Sequence, residues 1–433
     1  MVATLNKSLI WQGGLMYSDK IAVIGAGFCG LGVMAAFSRY GIPFDGIEAD
    51  DQLGGNWYHG VYETVHIISS RKTTQYTEYP MPATYPDFPS AAQMLAYLHS
   101  YADHYRLQQH IELSTTVTLV APAPGDRWEL TLGSGEKRIY GGVVVANGHH
   151  WDCRYPTYPG TFSGEIIHSK HYKNPEILKA KRVLVIGGGN SACDIAVEAA
   201  RFARTAHISM RRGYWIMPKT MFGVPSVEIM QLWMPLWMQR LYIQALLRIF
   251  VGRYEQYGLQ HPDHKVFEHH PTINSELLYF LKHGRVTPHP DIKCYDGQEV
   301  EFVDGRREAF DLIVCATGYH LSLPLLAPGV VEWKNGIPQL LGMVTPNYKN
   351  LYIFGAGQAR YGAGPLISAG AEVLCTMVQT QQRLKHPIGA ILQKIGARPP
   401  TTMLVGAEQV LRATRQARRV IPNMIYLEKF LFR

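Results

Sequence analysis

Two glycine-rich turns carry the clearest chemistry in this 433-residue chain. The first, Gly25-Ala26-Gly27-Phe28-Cys29-Gly30, follows a short β-branched run at residues 20–24 and precedes a helical pattern reaching about Tyr40. A second apolar run, 44–47, then ends in Glu48, 23 residues after Gly25. In a strand–turn–helix unit each glycine has a task. Gly25 permits the tight turn, Gly27 lets backbone approach a pyrophosphate, and Gly30 lets helix and strand pack closely. The helix N-terminus then holds the phosphates, and the acid at the end of the second strand accepts hydrogen bonds from ribose hydroxyls. The pattern predicts a dinucleotide site.

The signal repeats. Residues 182–186 form another strand-like run leading into Gly187-Gly188-Gly189-Asn190-Ser191-Ala192. A helix to about Ala203 and a strand at 207–210 follow. No acid ends that strand; Arg211 and Arg212 stand there instead. An acid would repel a 2′-phosphate, whereas arginine forks onto it. The first site therefore suits the adenosine of FAD and the second suits NADP. The bland alternative is that both arginines are simply solvated. A chain with two dinucleotide sites fits a flavin and a nicotinamide, with electrons passing from the second to the first.

These elements imply an α/β fold with two Rossmann-like domains, the NADP domain inserted into the FAD domain. Residues 143–148 and 312–318 look alike, each a buried strand ending in small residues and glycine. The expected FAD-binding domain is discontinuous, 1–155 and 310–433. A linker at 156–174 contains Pro156, Pro159 and Gly160, as a boundary would. The NADP-binding domain spans 175–309, with a helical insertion at 225–255. Within it, residues 227–250 are apolar but interrupted by Gln231, Pro235, Gln239, Arg240, Gln244 and Arg248. That spacing predicts an amphipathic helix broken at Pro235. It packs on its own domain, touches a membrane peripherally, or covers an apolar substrate channel. Trp233 and Trp237 hint at a lipophilic substrate.

Composition excludes several classes. Hydrophobic residues are 47% and charged residues 18%, enough for a large core. The net charge of +8 suits anionic ligands, but the basic runs are too short for a nucleic-acid surface. Six scattered cysteines contain no C-x-x-C, which argues against a redox dithiol or zinc knuckle and for a reducing cytoplasm. The N-terminus lacks the apolar core of a signal peptide. No apolar run is long enough to span a membrane. His261, His264, His269 and His270 lie close to Asp263 and Glu268, but Pro262 and Pro271 break the cluster, so no metal is expected. Asn274 or Ser275 should cap a helix beginning there. Residues 424–433 read as a docking helix or a membrane-edge anchor. Homo-oligomer formation is left open. No Ser–His–Asp set or paired carboxylates assigns a catalytic residue.

Between the glycine motifs stands Phe162-x-Gly164-x-x-x-His168-x-x-x-Tyr172. This pattern, with Gly54-Gly55-Asn56-Trp57, the 62–76 stretch, His270 to Leu278 and Ala316-Thr317-Gly318-Tyr319, resembles the flavin-containing monooxygenases, class B flavoprotein monooxygenases. The resemblance covers roughly residues 20–360. It implies that NADPH reduces FAD, that oxygen gives a flavin hydroperoxide, and that one oxygen atom passes to N or S of a small lipophilic molecule. Baeyer–Villiger oxygenation of a ketone is the alternative, although related enzymes of that type usually end the motif in Trp. A non-oxygenating NADPH-binding flavoprotein is another. Carried over, Gly25, Gly27, Phe28, Cys29, Gly30, Glu48, Asn56, Trp57 and Ser69 would line FAD. Gly187, Gly189, Asn190, Ser191, Ala192 and Asp194 would bind NADP, with Arg211 and Arg212 on its 2′-phosphate. His168 and Tyr172 would organise the linker. Animal-type members carry an Asn beside the flavin; that place holds Ile68 here, which offers no side-chain hydrogen bond.

Overall fold

The C-terminal ends of two parallel arrays of strands set the architecture. In the computed structural model the described residues are 10–12, 15–229, 234–360 and 362–432. The first sheet runs in the order Ile111–Glu112, Phe44–Ile47, Leu15–Ile24, Lys137–Val145, Arg127–Leu132, Val117–Ala123. Leu351–Ile353 joins it beside the end of Lys137–Val145. Ile24 pairs with both Ile47 and Val145. Gly25, Glu48 and Ala146 therefore leave the sheet together. Buried residues 21–24 and 143–145 fill the two faces, as parallel strands require.

The second sheet is entirely parallel: Glu165–His168, Leu312–Cys315, Arg182–Ile186, Thr205–Ser209, Thr287–His289. Its central register, Ile186 with Cys315 and with Ser209, brings Gly187, Ala316 and Met210 to one edge. This corrects the expected boundary at 310. Leu312–Cys315 belongs to the second sheet, and the chain rejoins the first sheet only at Leu351–Ile353. The expected linker is corrected as well. Its Glu165–His168 is an edge strand, and Gly160–Phe162 pairs with Ile292–Gly297. The hydrogen-bonding partner of a short apolar strand is non-local, so its run of residues does not disclose the sheet it enters. The segments passing between the sheets also pair, Tyr319 with Cys153 and His320 with Asp152.

Helix Gly364–Gln381 lies against helix Phe28–Tyr40. Gly32 makes that approach possible, since a Cβ there would come within 2.5 Å of Ile367 Cγ2. In the helical insertion, Pro235 starts helix Leu236–Phe250. Ile243, Leu246 and Leu247 enter the second unit's core, while Trp237 and Ile249 are 62% and 75% exposed. Gln231 and Trp233 lie outside the described residues. Among the described residues no helix is long and apolar enough to cross a membrane.

Adjacent strands of the second sheet also bury two imidazoles. His207 Nδ1 and His289 Nε2 are 2.9 Å apart, and His289 stacks on Phe302 at 3.9 Å. Burial pushes both below the usual histidine range, His289 to about 3. The unfolded chain takes up these protons near pH 6.5, whereas the folded chain refuses them. Stability should therefore fall as pH drops below about 6.5, by up to about 1.4 kcal/mol per pH unit for each excluded proton. Denaturant titrations at pH 7 and 5 check this, and the loss should shrink in His289→Gln.

Candidate cofactor and active site

A cavity of about 2160 Å³ runs between the two strand edges. On the first side its wall begins with Gly25, Gly27, Phe28 and Cys29. Gly25 has φ +102°, and a Cβ there would lie 2.6 Å from Ala146 O. A Cβ on Gly30 would overlap the carbonyl oxygen of Gly25. Gly30 thus acts beneath the wall, closing helix onto strand, while Gly27 faces Gly55 backbone across the turn. Glu48 is buried and lines the cavity. Its Oε2 accepts the Ala26 N–H at 2.5 Å and its Oε1 the Asp50 N–H at 3.1 Å. Burial pushes the carboxyl up, and the two amides oppose that. A carboxylate has about four acceptor positions, so Glu48 braces the turn and retains capacity for hydroxyl donors.

Asn56 and Trp57 open a single wide helical turn, Asn56–Gly60, and both line the cavity with Ile68 and Ser69. Ser69 Oγ is 2.6 Å from Thr74 Oγ1. Ile68 packs against the apolar cluster of the second unit, so a hydrophobic contact stands where the family resemblance expected an amide. Burial pushes the Cys29 thiol up to about 12, which keeps it protonated and unreactive.

On the second side Gly187, Gly189, Asn190 and Ser191 line the cavity. Gly187 has φ +134°, and a Cβ there would overlap Ala316 O. Gly189 has open space at the corresponding place. Asn190 uses its side chain to hold a neighbouring loop: Nδ2 donates to Pro271 O at 3.1 Å and Oδ1 accepts the Ile273 N–H at 2.7 Å. Thr272 donates to Gly188 O at 2.9 Å.

Three expected contacts are corrected. Ala192 does not line the cavity; it is fully buried against the strand. Asp194 turns away, one turn further along the helix, and accepts from Tyr62 Oη at 2.8 Å and Asn274 Nδ2 at 2.7 Å. Arg212 is half-buried with its guanidinium over Tyr214, 5.5 Å from the ring centre, whereas Arg211 is exposed on the cavity wall.

Sequence reasoning missed Tyr158, Tyr214, His149 and His150 on the same wall. The signal available was position, since His149-His150 comes just after Asn147-Gly148 at the end of strand Lys137–Val145. His149 faces Gly355 O at 3.2 Å through Nδ1, and burial pushes it below the usual histidine range. His168 is fully buried, with Nε2 at 3.0 Å from Gly318 O and Nδ1 accepting the Lys170 N–H at 3.2 Å. Asn274 caps helix Leu277–Lys282 by accepting the N–H groups of Glu276 and Leu277. Among the described residues no three metal-donor side chains converge.

Comparison with known proteins gives this arrangement a family. Residues 18–356 match the family described as flavin-binding monooxygenase-like. Flavin-containing monooxygenase 5 of Homo sapiens is 32% identical over 361 residues, covering 77% of this chain and 68% of that protein. The S-allyl-L-cysteine S-oxygenase of Allium sativum superposes with a TM-score of 0.66 at 20% identity, over 97% of this chain and 93% of its own. The closed form of a cyclohexanone monooxygenase gives 0.73 at 17% identity, over 94% and 98%. These two likenesses speak to fold. The chain belongs to the flavin-binding monooxygenase-like family. It is an FAD-dependent monooxygenase.

The glycine geometry separates two substitutions. Gly30→Ala should abolish retention of FAD, read as loss of the yellow absorbance after purification. Gly189→Ala should fold and keep its flavin, because its Cβ meets no protein atom; NADP+ titration should nevertheless show weaker binding.

Proposed function

We propose that this enzyme oxygenates N or S of a small lipophilic molecule in the cavity shared by both cofactor cradles. The observation that carries this reading is the continuity of that cavity. It runs from Gly25–Cys29 past His149 and His150 to Gly187–Ser191. It also extends to Met343, Val373, Met377, Val410 and Ala417, an apolar branch suited to a lipophilic body. The cradles fit their groups through the glycines that no Cβ could replace, the acid at Glu48 and the exposed cation at Arg211.

FAD supplies the oxygen-activating chemistry and NADPH the hydride. The chain's residues bind, orient and exclude water. Glu48 holds ribose hydroxyls, and Arg211 holds the 2′-phosphate. Trp57 and Ile68 line the flavin side with apolar surface, which keeps water from the reacting atoms. His149, neutral and donating through Nδ1 to Gly355 O, ties together the ends of the neighbouring first-sheet strands Lys137–Val145 and Leu351–Ile353. Six free cysteines and the exposed face of helix Leu236–Phe250 support a cytoplasmic enzyme with peripheral membrane contact.

Oxygenation is tested by coupling. An alkyl aryl sulfide or tertiary amine should accelerate NADPH consumption and yield sulfoxide or N-oxide carrying one atom from labelled O2. A lactone or ester from a ketone, with no sulfoxide, would shift the reading to Baeyer–Villiger chemistry. NADPH consumption uncoupled from every substrate would leave a non-oxygenating flavoprotein. Arg211→Ala should narrow the preference for NADPH over NADH by about one to two powers of ten, the value of one charge-assisted bidentate contact. Arg212→Ala should leave that preference unchanged.

A further inference from the structure

Tyr62 comes from the loop that follows Asn56–Gly60, yet its ring is buried in the core of the second unit. There it meets Tyr172 edge-on at 5.8 Å between ring centres. Its hydroxyl donates to Asp194 Oδ2 at 2.8 Å. Asp194 sits one turn inside helix Asn190–Phe202, whose first residues form the second cradle. Its other oxygen accepts from Asn274, in the segment where Ile273 is bound to Asn190. Beside it, Glu63 N–H donates to Lys173 O at 2.9 Å, and Asn174 Nδ2 to Glu63 Oε1 at 3.3 Å. Val65 and Ile68, further along the Tyr62 loop, pack on the same second core while Ile68 and Ser69 line the flavin side. One loop therefore touches both cradles, and Tyr62 ties it to the second helix through Asp194, with Ser191 of the same helix also beside its hydroxyl.

We propose that Tyr62 and Asp194 are a positioning pair that transmits occupancy of the NADP cradle to the flavin-side loop 61–69. Asp194 accepts two donors at once, so it fixes Tyr62 and Asn274 against each other. A ligand that orders the first turn of helix Asn190–Phe202 thereby orders residues 61–69. A residue without a side-chain acceptor at 194 would take this partner from both the buried Tyr62 hydroxyl and the Asn274 amide. The proposal rests on the cofactor assignment above, but not on the oxygenation of any substrate.

The test is hydrogen–deuterium exchange of the FAD-loaded protein with and without NADP+. In the wild type, NADP+ should slow exchange in residues 61–69. In Tyr62→Phe, NADP+ should bind within about threefold of wild type, because the ring that lines the cavity is kept and only its hydroxyl is removed. The slowing at 61–69 should nevertheless disappear. Anaerobic flavin reduction at saturating NADPH should fall about tenfold, the scale of one hydrogen bond. Asp194→Leu, which removes both acceptor oxygens, should behave alike and serves if Tyr62→Phe loses FAD. Tyr172→Phe, which removes a nearby hydroxyl bonded to Glu198, should keep the NADP+ response. Retention of the NADP+ response in both Tyr62→Phe and Asp194→Leu would overturn the proposal. Failure of the wild type to bind NADP+ would overturn the cofactor assignment and this proposal together.

Discussion

The structure depends on two places where a carbonyl oxygen occupies the space of a side chain. Ala146 O lies against Gly25, and Ala316 O lies against Gly187. Each contact joins the end of one parallel strand to the turn leaving its neighbour. Only a residue without Cβ and with φ near +100° or beyond can stand there. Because the contact is backbone to backbone, it fixes the turn within tenths of an ångström. The helix N-terminus that follows is aimed by the same contact. In both units, phosphate binding is therefore a consequence of strand register, and the sheets must pair correctly before either cradle exists.

The second requirement is a fixed relation between the cradles. Several weak devices share this work. Tyr319–His320 runs beside Asp152–Cys153, His168 holds Gly318 O, and the 61–69 loop inserts Tyr62 into the second core. Ile68 takes part through apolar contact. The departure at this position thus exchanges a polar group on the flavin side for packing between the units.

The parts legible in the sequence are those determined locally. Strand, glycine turn, helix and acid are consecutive, so Gly25 to Glu48 and Gly187 to Ser191 were placed from spacing alone. The cap at Asn274 was equally local. What spacing could not resolve is direction around a helix end and partner across space. Ala192 and Asp194 lie in the right turn but on faces that meet the strand and Tyr62. Arg211 and Arg212 are adjacent, but Arg212 lies over the ring of Tyr214 while Arg211 reaches the cavity wall. The strand at 312–315 was visible, but its pairing with 183–186 was not, since many apolar runs could fill that slot.

The pairing of the two crossings has a mechanical meaning. A single covalent tether allows a body to swing, twist and slide. Two tethers running antiparallel and hydrogen-bonded, as at Cys153 with Tyr319 and Asp152 with His320, form a short ribbon. A ribbon bends easily across its thin direction and resists shear along its length, because sliding would break both ladder bonds at once. The ribbon thus resists sliding of one unit past the other, and the Tyr62 insertion adds a separate tie between them.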